Sequence, residues 1–292
     1  MTPRPERVPA EAVRQRMLKA GRELALEAGA ALTIEHLRLE EVIQRARVPR
    51  SSVYRMWPYR EDYTDDLLCY LAGEGSWFSD RPVLDPETFT VVRKVLADNT
   101  GLLASMAGRR ALVCEVVRLT AIRNYESLTE SAPWRLHMAL VATLGSTRGG
   151  LARKRIAAAL EDAQRRSRES MVAVLGFLAT TLGLRLRDPA YTLDHVQLAG
   201  GLLVQSMALR NVQVQAAVGS PGAAASAGSG VEVTADATAL SEASVVNGLL
   251  NAPIPGPGLH GEQADWTLAG FAYLGVLDAF MELDPDFSPP SA

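Results

Sequence analysis

RARVPRSSVYRMWPYREDYTDD, residues 45–66, carries five arginines before its first carboxylate. Hydroxyl, aromatic and proline residues stand among them. At Glu61 the sign reverses, and Asp62, Asp65 and Asp66 follow within five residues. Pro49 and Pro58 divide the stretch, because proline lacks an N–H and stops a preceding helix. Between them Arg50 to Met56 has the length of one short helix. Upstream, Leu39, Val42, Ile43 and Ala46 recur at helical spacing and mark a second short helix that Pro49 closes.

Working outward, Pro9 suits the first turn of a helix whose buried stripe is Val13, Met17, Ala20, Gly21, Leu24 and Ala28, with Gly29 ending it. A fourth helix starts near Arg60 and carries Leu67, Leu68 and Leu71. Beyond Gly73 the pattern predicts longer helices at about 86–105, 109–128, 133–144, 149–183, 191–215 and 264–282. The fold class expected is all-α. The segment 216–262 is rich in Gly, Ala, Ser and Pro, which offers little apolar surface against the entropy of ordering. It is expected to be a flexible loop, with a short helix at ASVVNGLL as the alternative.

Composition sets bounds. The chain has 292 residues and a net charge of −3, so nucleic-acid contact has to come from a local basic patch. Cys69 and Cys114 form no disulfide framework, which favours a reducing cytoplasm. MTPRPERVP has no apolar run behind its charges and does not read as a signal peptide. The apolar run 171–184 is too short for a membrane span. His36, His137, His195 and His260 are scattered, without metal-ligand spacing or a catalytic constellation; no enzyme activity, metal or cofactor is expected.

Three short helices, the second and third joined by a tight turn, describe a helix-turn-helix whose third helix enters the DNA major groove. Arg50, Ser51 and Ser52 then stand at the end that reaches base edges, with Tyr54 and Arg55 after them; arginine suits guanine and serine suits bases or phosphate. Arg60 opens the next helix, where N–H groups favour a phosphate. The carboxylates are expected on the side away from DNA. Arg4 and Arg7 read either as a minor-groove arm or as a disordered tail.

This order of residues resembles the TetR/AcrR-type (tetracycline-repressor) family of bacterial transcriptional regulators. The family pattern runs roughly Ala-Gly-Val-Ser-Lys-Gly-Thr-Leu-Tyr-Arg-His-Phe-Pro-Ser-Lys-Glu; residues 46–61 read Ala-Arg-Val-Pro-Arg-Ser-Ser-Val-Tyr-Arg-Met-Trp-Pro-Tyr-Arg-Glu. Val48, Tyr54, Arg55, Pro58 and Glu61 match outright. The resemblance covers about residues 10–72. Arg47 replaces the turn glycine, so the turn is expected to be strained or differently shaped. Met56 replaces a histidine and Pro49 a serine cap.

The resemblance implies a flexible arm at 1–8, a DNA-binding head at 9–73, and a ligand-binding and dimerisation domain at 74–292. It implies a two-fold homodimer on a palindromic operator in double-stranded DNA, acting as a repressor relieved by a small apolar or amphipathic effector. Expected DNA contacts are Arg47, Arg50, Ser51, Ser52, Tyr54, Arg55 and Arg60. Apolar and adaptable residues suggest a pocket of Met106, Tyr125, Trp134, His137, Met138, Met171 and Phe177, although His137 reads equally as a core residue. The dimer interface is expected at Leu193, Val196, Gly200, Leu203 and Met207 on one helix, and at Trp266, Gly270, Tyr273, Leu277 and Phe280 on the last. The competing reading is a helical small-molecule-binding protein whose head has lost DNA binding.

Overall fold

In the computed structural model, residues 9–27, 37–79, 86–146, 150–218 and 237–289 are described. In chain order they form α1 (Ala10–Glu27), α2 (Leu39–Ala46), α3 (Arg50–Met56), α4 (Arg60–Ala72), α5 (Pro86–Asp98), α6 (Met106–Glu130), α7 (Ala132–Ser146) and α8 (Leu151–Leu182). Then follow β1 (Leu184–Leu186), α9 (Leu193–Val218), α10 (Ala237–Asn251), β2 (Ile254–Pro257), β3 (Gln263–Trp266), α11 (Leu268–Phe280) and β4 (Met281–Leu283). The structure is predominantly helical. None of the described helices is long and apolar enough to cross a membrane.

The chain divides into two compact units, and the division is discontinuous. Unit one takes residues 1–81 and 131–167; unit two takes 82–130 and 168–292. The division expected from the sequence is a single cut between 73 and 74. Leu140 of α7 and Ile156 and Leu160 of α8 join the core made by Met17, Val42, Val53 and Leu67. Burying a Leu or Met there contributes about 1.5–3 kcal/mol.

Two contacts lock unit one. Trp57, 3 % exposed, gives its indole N–H to Asp66 at 3.1 Å and meets Tyr63 edge to face at 5.2 Å. The Tyr63 hydroxyl in turn donates to the Met17 carbonyl at 3.1 Å, passing over Gly21, where a Cβ would lie 2.3 Å from it.

In unit two, α6 is buried on several sides, through Leu112, Val113, Cys114, Val116 and Val117. It packs with α5, α9 and α11. Arg109 is 3 % exposed and donates to the carbonyls of Gly183 (3.3 Å) and Asp284 (2.8 Å), its guanidinium 4.8 Å from the Phe287 ring centre. These contacts fasten the turn before β1 and the segment after β4, which pair antiparallel with Leu184 opposite Leu283.

Three expected elements differ: the helix expected at 86–105 ends at Asp98 and is followed by a 3-10 turn, Thr100–Ala104. The helix expected at 264–282 begins only at Leu268, because the Thr267 hydroxyl accepts the Gly270 N–H and caps it there; 263–266 is instead a strand paired with 254–257. The expected loop 216–262 contains the end of α9, α10 and β2, while 219–236 lies outside the described residues. The short helix at ASVVNGLL is present within α10, tied to α9 by Asn251, which donates to the buried Asn211 at 2.9 Å. Arg4, Arg7, Ala28, Gly29 and His36 also lie outside the described residues.

Candidate functional site

The turn between α2 and α3 is closed by Arg47 in the left-handed region, φ 52° and ψ 48°, its N–H bonded to the Gln44 carbonyl at 3.3 Å. Left-handed backbone crowds a Cβ, so this is a strained position for arginine. Of the two shapes expected for the turn, the structure has the glycine-like one with an arginine in it. Val53 faces the core, and α3 turns Arg50, Ser51, Tyr54 and Arg55 outward; Ser52 is half-buried.

These side chains are not all open to solvent partners. Glu40, in the first turn of α2, pairs with the Arg50 guanidinium at 2.5 Å and accepts the Tyr54 hydroxyl at 2.9 Å. That bond to Glu40, more than any other effect, raises the Tyr54 pKa. Arg60 donates to the Leu37 carbonyl at 3.2 Å, bracing the entry to α2. At the start of α4 the Asp62 carboxylate accepts the Tyr59 N–H at 3.2 Å, so an internal anion already sits there. Asp66 serves Trp57, Arg14 and Arg155. The acids after residue 60 thus act partly as internal acceptors.

The pocket residues expected from sequence do not come together. Trp134 and His137 are buried in unit one. His137 packs edge to face on Phe78 at 4.9 Å, its Nδ1 lacks a hydrogen-bond partner among the described residues, and burial pulls its pKa down to about 4. Met138, half-buried, is also in unit one. Met106 and Phe177 of unit two are exposed. Tyr125 is buried, its hydroxyl lacks a hydrogen-bond partner among the described residues, and burial pushes its pKa up to about 12. Met106 lines a larger, charged cavity of unit two; of the set, Met171 alone lines its apolar cavity. Helical periodicity marks which residues face inward, and it says nothing about which interior they face.

That cavity holds about 90 Å³. Most of its walls are helix faces, at spacings of three and four: Val113, Val116, Val117, Thr120 and Ala121 from α6; Met171, Val174, Leu175 and Leu178 from α8; Gln197, Gly200, Gly201 and Val204 from α9; Tyr273 and Leu277 from α11; Leu184 of β1 adds to them. Exposed Asn124 also lines it. The Tyr273 hydroxyl donates to Gln197 Oε1 at 3.2 Å. Gly200 lets the Tyr273 ring lie against α9, since a Cβ there would stand 2.3 Å from it.

Most of the expected dimer stripe is packed within one chain. Val196, Gly200, Trp266, Gly270 and Leu277 are buried within one chain, in the packing of α9, α11 and their neighbours. Leu193, Met207, Tyr273 and Phe280 are partly buried there. Leu203 alone of the ten stays exposed, at 40 %. Exposed apolar side chains near it are Leu198 and Leu202, one turn apart on α9; α10, packed on α9, exposes Val245 and Leu249.

No protein-family model, no curated protein and no solved structure matches the chain. Among the described residues no group of three or more His, Cys, Asp or Glu is placed to hold a metal.

Proposed function

We propose that the chain is a sequence-specific DNA-binding transcriptional regulator of the TetR type, a two-fold homodimer whose DNA binding is relieved by a small molecule in unit two. The observation that carries this reading is the α2–Arg47–α3 turn. It keeps the glycine-like backbone even with arginine in place, and it leaves Arg50, Ser51, Tyr54 and Arg55 on the outer face of a short helix. Those are groups that suit a major groove. The reading is non-enzymatic and cytoplasmic, with repression and dimerisation following the resemblance. Exposed Leu198 and Leu202 support a dimer surface on α9.

A second reading has its own support. Glu40 already engages Arg50 and Tyr54, and Arg60 is committed to Leu37. Those contacts suit a helical ligand-binding protein whose head no longer reads DNA. Selection of bound sites from random duplex DNA decides between them. A regulator enriches a palindrome, and its affinity falls steeply with salt as counterions are released. No enrichment even at low salt overturns the regulator reading.

A further inference from the structure

We infer that the apolar cavity of unit two takes a short, uncharged molecule with an aliphatic body and one hydroxyl or carbonyl group, which the Tyr273–Gln197 pair reads. This rests on the reading of unit two as the ligand-responsive part, and names the ligand class for it.

Charge decides the class. Eighteen residues line the cavity, and no Asp, Glu, Lys, Arg or His is among them. The one titratable group is Tyr273, whose pKa burial pushes up to about 12, so it stays neutral. An entering carboxylate or ammonium would lose its hydration with no opposite charge to meet it, which is prohibitive in apolar surroundings. Aliphatic walls from α6 and α8 favour a hydrocarbon body.

The polar pair decides the single functional group. Tyr273 spends its proton on Gln197 Oε1 and keeps an acceptor lone pair; the Gln197 amide keeps its N–H donors. The pair therefore offers complementary groups to a hydroxyl, and donors to a carbonyl. Thr120 adds little, because its hydroxyl is bonded to the Val116 and Val117 carbonyls, and Asn124 is exposed to water, which competes for its amide. Size sets the length. At about 90 Å³ the space is below the roughly 150 Å³ that holds benzene. Gly201 keeps that space open: a Cβ there has its nearest neighbour, Gln197 Nε2, at 3.9 Å.

The test uses the full chain with methyl-labelled methionine, the Met171 signal being assigned through Met171→Leu. Butanol should shift that signal saturably at neutral pH, while butanoate and butylammonium at equal concentration should not. Tyr273→Phe should weaken butanol about threefold to tenfold, the scale of one hydrogen bond, and leave binding of xenon, an apolar probe, unchanged. Gly201→Leu should lose both probes; if it does not fold by circular dichroism, Gly201→Ala should weaken both. Equal binding of butanoate or butylammonium, unchanged butanol affinity in Tyr273→Phe, or no binding of any probe overturns the inference. The readout sits on the cavity, so a chain that binds butanol yet never binds DNA sinks the regulator reading alone.

Discussion

Arg50 and Glu40 meet at 2.5 Å, joining the exposed face of α3 to the first turn of α2. Glu40 also takes the Tyr54 hydroxyl, so one carboxylate occupies two of the side chains proposed to meet DNA. An exposed pair of this kind contributes little to folding, about 0–1 kcal/mol. Its weight falls on binding, because a phosphate has to displace the carboxylate to reach Arg50. Glu40→Gln should therefore tighten binding to random duplex DNA and steepen the salt slope by about one counterion. Titrations at several salt concentrations check this; weaker binding at every salt concentration would show that Glu40 aligns the reading side chains instead of restraining them.

The left-handed backbone at Arg47 yields a second prediction. Replacing it by glycine removes the crowding of a Cβ at φ 52°, while glycine loses more freedom on folding. The net expected is a gain of about 0.5–1 kcal/mol, seen as a higher urea midpoint with unchanged slope. Arg47→Val should instead destabilise, since a β-branched residue fits this region worst. A Gly variant less stable than the parent would contradict the strain.

His137 sets a pH dependence of unit one. Its pKa falls from 6.5 in the unfolded chain to about 4 when buried. Between those values the unfolded chain binds a proton that the folded one refuses, so stability drops as pH falls from about 6.5 towards 4, by up to about 3 kcal/mol at the lower end. Above that window the group is neutral in both states and the effect vanishes. Urea midpoints at about pH 7 and pH 4.5 should separate further for the parent than for His137→Leu. Parallel pH profiles would remove His137 as the cause.

Leu277 and Leu202 separate packing within the chain from pairing between chains. Leu277 is 5 % exposed and Leu202 57 %. Leu277→Glu buries an unpaired carboxylate and should cost more than about 3 kcal/mol, unfolding unit two. Leu202→Glu should change stability by less than about 0.5 kcal/mol and yield a folded monomer. Sedimentation and circular dichroism together read both. A dimer that survives Leu202→Glu moves the interface off this face of α9.

The sequence by itself determined the helical class and most element positions. Pro49, Pro58 and the spacing of Val42, Ile43, Val53 and Leu67 are local constraints, acting within a turn or two of the chain. The family resemblance, and not a local rule, marked Arg47 as the odd residue of its turn, and the structure finds its backbone left-handed. It did not locate the start of α11, because the Thr267 cap competes with an apolar pattern that continues upstream to Trp266. Tertiary structure alone decided where inward-facing residues end up. His137 and Met171 both have helical, apolar neighbours, yet one is buried in unit one and the other lines the cavity of unit two. Gly200 and Tyr273 read as an outer, pairing stripe and are packed on each other within one chain. Glu40 gave no sign of holding Arg50 and Tyr54, being ten residues or more from each. Periodicity fixes a side chain's direction from its own helix axis; what it then meets depends on long-range packing that no local pattern encodes.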